Sequence, residues 1–415
     1  MVQNISLVRY RSRKRGGKLG KFFGASDQDI IDGRTTDIYF ERTMQVLKER
    51  NLLGVNTLSE FTVATLPDSW PWGVFCGSEE VIRLFEGKDV DLTGIPEGTI
   101  FRSRSFNGIK VPVMKLEGAY GEYCPYETPA LGFMCFSSGV ATMSARCKIA
   151  AEGKTVLSFG VRRMHPALAP VIDRASYIGG CDTVSSIIGA ETIEQEPSGT
   201  MPHALVIMIG DQREAFKAFD DIVDKEVPRV ALVDTYCDEK LEAVMACETI
   251  KDLFAVRLDT PGSRRGNFPD IIREVRWEMD SRGYDKVKII VSGGLDDHTI
   301  NDLSKAGADG FGVGTSISNA PSIDFAMDIV EKEGRNVAKR GKFGGRKYAF
   351  RCEQCYEFGV SRSLDVVPSC PHCHRQMKLA EVKLLEKGKR VCDQPHPREI
   401  RLRVMKQIER LELGK

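Results

Sequence analysis

An excess of charge of one sign is what this 415-residue sequence most plainly lacks: 59 lysines and arginines face 58 aspartates and glutamates, a formal net charge of +1. With no global field, the composition does not mark a nucleic-acid or membrane-surface binder, and any such role has to rest on a local patch. Long apolar runs are missing too. No uninterrupted stretch approaches the roughly 20 residues that a spanning helix needs, and the amino terminus shows no basic-then-apolar leader pattern. Disulfide-style cysteine density is also absent. The twelve cysteines are spread through a large chain and four of them sit in paired CxxC units, which favours reduced thiols and metal. Together these features predict a soluble, cytoplasmic protein with no membrane association, large enough for a sizeable core and two or three domains.

What is present is a repeated device between residues 155 and 315. Short apolar runs end in glycine, arginine or aspartate and are followed by helix-like stretches: TVLSFGVRR, YIGGCDT, RVALVDTY, LFAVRLDT, KIIVSGG and GFGVGT. Their tips fall near Phe159, Asp182, Asp234, Asp259, Gly293 and Gly314, a spacing suited to βα units in a parallel sheet. If the strands close into a barrel, the tips share one face, and a barrel carries its chemistry there.

Around this region the sequence predicts other units. Residues 9–21 form a basic, glycine-containing arm. A helix is entered near Thr36 or Asp37, and residues 60–125 alternate β-rich runs with turns, as in an α+β domain with an antiparallel sheet. A long helix precedes the first tip strand, and SIDFAMDIVEK is read as a last helix before a basic, glycine-rich hinge near residue 341. The resulting division is 1–35 arm, 36–130 α+β domain, 131–340 α/β barrel, 341–392 metal module, and a terminal helix in 393–415 that packs back through Ile400, Val404, Ile408 and Leu411.

Cys352 and Cys355 form one CxxC and Cys370 and Cys373 another, separated by 14 residues. Two such knuckles suit one tetrahedral zinc ion, and four protein ligands leave no open position, so the ion is structural. His372, His374, Cys392 and His396 are further candidate ligands, but the symmetric four-cysteine set is the simplest.

At the tips, Phe159 offers an aromatic face and Arg162 and Arg163 offer cations. Ser292, Gly293 and Gly294, with Gly312, Gly314 and Thr315, offer backbone donors of the kind that approach a phosphate. Arg257 and Asp259 alternate with apolar neighbours and so point the same way, a cation for phosphate beside a carboxylate for hydroxyls or magnesium. Asp182 and Asp234 add acid. His203 follows the turn that includes Thr200, where a neutral imidazole can act as a nucleophile or proton carrier.

In this order TTDIYFERT, FGVRR, GGCDT, SGTMPHA, LVDTY, VRLD and GVGT resemble the nicotinate phosphoribosyltransferase family, in its archaeal-type branch with a C-terminal zinc-binding module. The resemblance covers about residues 25 to 390. It implies an α/β type II phosphoribosyltransferase fold, an α+β sandwich plus an irregular barrel and a small zinc ribbon, in a homodimer or higher oligomer with shared active sites. The activity implied joins nicotinate to phosphoribosyl pyrophosphate with Mg2+, coupled to ATP through a phosphohistidine, in NAD salvage. By resemblance, Phe159 stacks on the pyridine ring and Tyr39 of a neighbouring subunit covers its other face. Arg162 and Arg257 hold pyrophosphate or carboxylate oxygens, and Asp259 engages ribose hydroxyls or magnesium. The SGG and GVGT amides hold the 5′-phosphate, and His203 takes the phosphohistidine position. The chain departs from the family in carrying Ala204 where serine can follow the histidine. Asp182 would oppose a ring carboxylate and favour an amide unless it points toward the arginines.

Two other readings compete. A quinolinate phosphoribosyltransferase would share the fold but is expected to lack the cysteine module and the GTMPH segment. A nucleic-acid-binding zinc ribbon is supported only by charge and glycine in RSRKRGGK and KRGKFGGRK, without interleaved aromatics.

Overall fold

A computed structural model of the chain describes residues 22–264, 266–411 and 413; the basic arm expected at 9–21 lies outside the described residues. The helix expected near Thr36 runs Ile38–Glu49 behind Asp37 as its N-cap.

Two sheets organise the molecule. The first has seven strands in the order Arg335–Asn336, Phe325–Lys332, Asn56–Val63, Met114–Ala119, Val90–Gly94, Val382–Glu386 and Lys389–Arg390. Every pairing is antiparallel. The Phe325–Lys332 strand corrects the helix expected there. Its residues pair with Asn56–Val63 from Thr57 opposite Lys332 to Val63 opposite Phe325, and the two-residue turn at Glu333 and Gly334, both at positive φ, folds it back on Arg335–Asn336. The signal overlooked was that turn, since a short strand and a helical turn are not separable by apolar content alone.

The helix Glu127–Ala150 is buried over most of its 24 residues and packs against the Phe325–Lys332 strand on one side and the Ala169–Gly179 helix on another. Ser, Gly and Ala fill much of it, which lets neighbouring backbones come close. Beyond it lies the second sheet, six parallel strands in the order Thr183–Val184, Thr155–Ser158, Gly310–Val313, Lys288–Ser292, Leu253–Leu258 and Arg229–Leu232. Five of the six expected strands are present, and the first of these in the chain pairs with the last, as in a sheet that wraps. Leu157, Val230, Ala255 and Ile290, from four of those strands, share one inward cluster with Phe159, so the sheet is curled. The hydrogen-bonded order has two ends, which makes it a half-barrel.

The sixth expectation needs correction. In YIGGCDT, Tyr177 and Ile178 end the Ala169–Gly179 helix, and the strand is only Thr183–Val184. Asp182 therefore precedes its strand and lies at the amino end of the sheet, its N–H donating to the Val156 carbonyl.

A third, three-stranded sheet, Tyr348–Arg351, Phe358–Ser361 and Lys378–Leu379, carries the cysteine pairs. It is tied to the first sheet by buried ion pairs, Lys347 with Glu60 at 2.9 Å and Lys115 with Glu381 at 2.6 Å. The helix Pro397–Ile408 buries Ile400, Val404 and Ile408, while Gln407 accepts from the Ile100 N–H and donates to the Gly98 carbonyl.

Candidate active site at the strand ends

Phe159 leaves the Thr155–Ser158 strand with its N–H donating to the Val313 carbonyl at 2.8 Å. Its ring lies across Gly312: a Cβ on that glycine would sit 2.6 Å from ring carbons, so only glycine leaves room for the aromatic face. A tight turn, Val161–Arg163, then exposes Arg162 and Arg163.

Arg257 projects from Leu253–Leu258 with its side chain 12% exposed, 3.7 Å from Asp259. Its Nε has no hydrogen-bond partner. Burial lowers its pKa, Asp259 and Asp234 oppose that, and Arg162 adds to it, which places Arg162 in the same field. Asp259 accepts from the Ser292 hydroxyl at 2.7 Å. Past Ser292 the chain turns through Gly293 and Gly294 at φ of 92° and 69°, a conformation that glycine adopts without strain.

Asp234 follows the Arg229–Leu232 strand, and its side chain is only 3% exposed. One oxygen lies 3.1 Å from His203 Nε2, and the other has no hydrogen-bond partner. Burial raises its pKa most, with Asp259 adding and His203 and Arg257 opposing. His203 opens the helix His203–Ile209, with Ala204 exposed beside it. Thr200 is half-buried on the approaching loop, its hydroxyl donating to the Met201 carbonyl.

The curled sheet thus gathers Phe159, Arg162, His203, Asp234, Arg257, Asp259, Ser292 and Gly312 at its carboxyl end; Arg163, Gly314 and Thr315 are on the adjoining turns. Asp182 is not among them. Its carboxylate binds Lys148 and Arg401 at 2.7 Å each and accepts from the Val156 N–H at 2.9 Å, a structural use. Tyr39 is also apart, 54% exposed on its helix, its ring tilted at 44° against that of Phe40 within the chain.

Two acids that sequence reasoning missed hold the loops. Glu242, buried, accepts from the N–H groups of Thr235, Tyr236 and Cys237 at 3.0, 2.7 and 2.7 Å, fixing the turn behind Asp234. Asp173, buried, accepts from the hydroxyls of Ser158 and Ser186 and joins two strand ends. The only trace of Glu242 in sequence is its place one turn into the helix after DTYC.

Away from this site, one sulfur from each of Cys352, Cys355, Cys370 and Cys373 lies within 4.8 Å of all the others. A tetrahedral zinc with Zn–S bonds near 2.3 Å asks for sulfurs about 3.8 Å apart, so the donor set fits a structural zinc ion. His372 instead faces Glu357, and His396 caps its helix and pairs with Glu194.

Two family models match the chain: the quinolinate phosphoribosyl transferase N-terminal domain over residues 37–138 and the C-terminal domain over residues 140–328. A nicotinate phosphoribosyltransferase of Mycobacterium tuberculosis is 31% identical over 291 residues, covering 66% of this chain and 60% of that protein. One from Bacillus subtilis is 31% identical over 54% of this chain and 47% of its own length. The matches thus span about half to three-fifths of these curated relatives. Among solved structures, the nicotinate-nucleotide pyrophosphorylase of Pyrococcus furiosus is 49% identical over 94% of this chain and 98% of that one, with a TM-score of 0.89. Human nicotinic acid phosphoribosyltransferase, 18% identical over 91% of this chain and 94% of that one with a TM-score of 0.70, shares the fold.

Proposed function

The chain belongs to the nicotinate phosphoribosyltransferase family, and from that premise we propose that it joins nicotinate to phosphoribosyl pyrophosphate, releasing nicotinate mononucleotide and pyrophosphate in NAD salvage. The observation that carries this reading is the convergence, on one sheet end, of an aromatic face, two cations and two carboxylates: Phe159, Arg162, Arg257, Asp234 and Asp259. Together they suit a flat ring, a sugar and phosphate-rich ends.

In this reading Phe159 stacks on the pyridine ring, and Tyr39 of a second copy closes the other face. The ring nitrogen bonds to the anomeric carbon as pyrophosphate departs with the electron pair of the breaking C–O bond. The sugar gains oxocarbenium character, so the chain needs no nucleophile of its own. Arg162 and Arg257 stabilise the departing anion, while positioning of both reactants removes much of the entropic barrier. Asp259 and Asp234 are oxygen donors suited to a magnesium ion carried with the pyrophosphate, which would neutralise charge there; the unpartnered Asp234 oxygen fits that use. With Asp182 bound to Lys148 and Arg401 at the other end of the sheet, it does not oppose a ring carboxylate, so nicotinate meets no acid there.

His203 is the residue for ATP coupling. Asp234 holds Nε2, so the imidazole is oriented with its other nitrogen free to attack the γ-phosphorus of ATP, releasing ADP. Ala204 supplies no hydroxyl to assist.

The test supplies purified protein with phosphoribosyl pyrophosphate and magnesium, then nicotinate, nicotinamide or quinolinate in turn, with and without ATP. Nicotinate mononucleotide from nicotinate is expected, faster with ATP. A preference for quinolinate would transfer the chain to the other reading, and no mononucleotide from any substrate would reject both.

A further inference from the structure

A cavity lined by charged and apolar side chains lies on the seven-stranded sheet and shares no lining residue with the strand-end site. Thr62 and Glu60 line it from the Asn56–Val63 strand, Asp328 from Phe325–Lys332, and Arg104, Lys110 and Lys342 from the flanking loops. Its volume is about 50 Å³. Since a water needs roughly 10–15 Å³ by this measure, there is room for a few waters or one small ion.

The charges around it do not balance. Glu60 is spent on Lys347, whose Nζ lies 2.9 Å from both carboxylate oxygens. Asp328 alone serves two lysines, Lys339 at 2.6 Å and Lys342. Lys115 and Glu381, packed behind, neutralise one another. Arg104 donates to the Gly108 carbonyl, and Lys110 stands beside Lys342; among the described residues neither has a carboxylate at ion-pair distance. Burial and the neighbouring cations Lys342 and Arg104 lower the Lys110 pKa, against the smaller pull of Asp328. Four cations, Arg104, Lys110, Lys342 and Lys347, therefore line the cavity with two carboxylates, Glu60 and Asp328.

Thr62 is an independent observation. It is 6% exposed, lines the cavity, and its hydroxyl has no hydrogen-bond partner. A buried hydroxyl left unpaired is unfavourable, and so are clustered ammonium groups without a counter-ion. One oxyanion relieves both.

We infer that this cavity binds a phosphoryl oxyanion, which accepts a hydrogen bond from the Thr62 hydroxyl and is neutralised by Lys110, Lys342 and Arg104. The excess of two positive charges among the lining residues matches a multiply charged phosphoryl group better than a single carboxylate. Free phosphate, pyrophosphate and the tail of a nucleotide present the same chemistry.

Binding calorimetry in phosphate-free buffer tests this on the full chain. Inorganic phosphate, pyrophosphate and ATP are titrated separately, with nicotinate as the carboxylate control. An Arg162→Gln background removes an exposed cation of the strand-end site. Saturable binding of at least one phosphoryl anion is expected there, and the tightest of the three identifies the source. Adding Lys110→Gln should weaken it at least tenfold. Thr62→Val should weaken it as well, without lowering the melting temperature of the anion-free protein, because it removes an unpaired hydroxyl. No saturable binding, an affinity within twofold after Lys110→Gln, or a Lys110-dependent nicotinate site would overturn the inference. None of these readouts needs catalytic turnover, so they fail or succeed apart from the proposed transferase activity.

Discussion

Asp234 is the residue on which function and stability pull in opposite directions. It is buried, one oxygen is unpaired, and its pKa is raised mainly by desolvation. A carboxyl whose folded pKa is raised contributes stability at low pH that is lost as pH rises through that pKa. Asp234→Asn keeps an oxygen for His203 and removes the buried charge. It is expected to melt no lower than wild type at pH 8, yet to lose the ATP-dependent part of turnover by about 10²-fold, the usual scale of a positioned acid–base partner. Melting curves and rates with and without ATP check both halves. Glu80 follows the same sign away from the site. Burial first, then the nearby Glu97 and Glu79 carboxylates, push its pKa up to about 7 against the pull of Arg174 and Arg83. Its protonated form therefore favours the fold below about pH 4, and that contribution disappears by pH 8. Glu80→Gln should flatten the stability profile between pH 5 and 8 by at most about 3 kcal/mol, as read by denaturant unfolding at each pH.

Among elements, the tip strands were legible because each carries its apolar run and its polar end in a handful of consecutive residues. RVALVD, VRLD and GVGT needed no tertiary information to suggest strands with chemistry at their ends. YIGGCDT misled because GG followed by an acid looks like a strand tip whether the apolar residues before it are strand or helix. Here they finish a helix, and Asp182 goes to Lys148 and Arg401. SIDFAMDIVEK misled in the opposite sense, since its pairing partner lies some 270 residues earlier in the chain. Glu242 was invisible for a related reason: a carboxylate that collects three amides of its own loop leaves no motif. The Gly310–Val313 strand offers the sharpest test at this scale. A methyl group at position 312 would meet the Phe159 ring at 2.6 Å and must displace it. Gly312→Ala is expected to fold, with an overpacking cost of about 1–3 kcal/mol. It should also raise KM for the pyridine substrate about fivefold, the equivalent of roughly 1 kcal/mol of ring stacking.

At the scale of the whole molecule, the cysteine spacing announced its own geometry, whereas nothing local announced where the strands after it go. Val382–Glu386 and Lys389–Arg390 return to the edge of the seven-stranded sheet, and buried Lys347–Glu60 and Lys115–Glu381 pairs lock the cysteine-bearing sheet to it. Metal removal should therefore be felt beyond the four thiols. One zinc per chain is expected by elemental analysis. A strong chelator, or Cys370→Ser, should lower the melting temperature and expose Phe350 and Met377, which pack on the cysteines; an unchanged melt would argue against a structural ion. No described helix is long and apolar enough to cross a membrane. The half-barrel, rather than any motif, makes one site of residues spread over about 150 positions, from Phe159 to Gly312. That the strand ends transfer a phosphoribosyl group to nicotinate is the central claim. Its most direct measurement is the rate of nicotinate mononucleotide formation by wild type, Phe159→Ala and Arg257→Gln at equal folded concentration. The account predicts product from wild type and a fall of at least about tenfold in kcat/KM for each variant, the scale of one lost stacking or charge contact; wild type without product, or variants at wild-type rates, would contradict it.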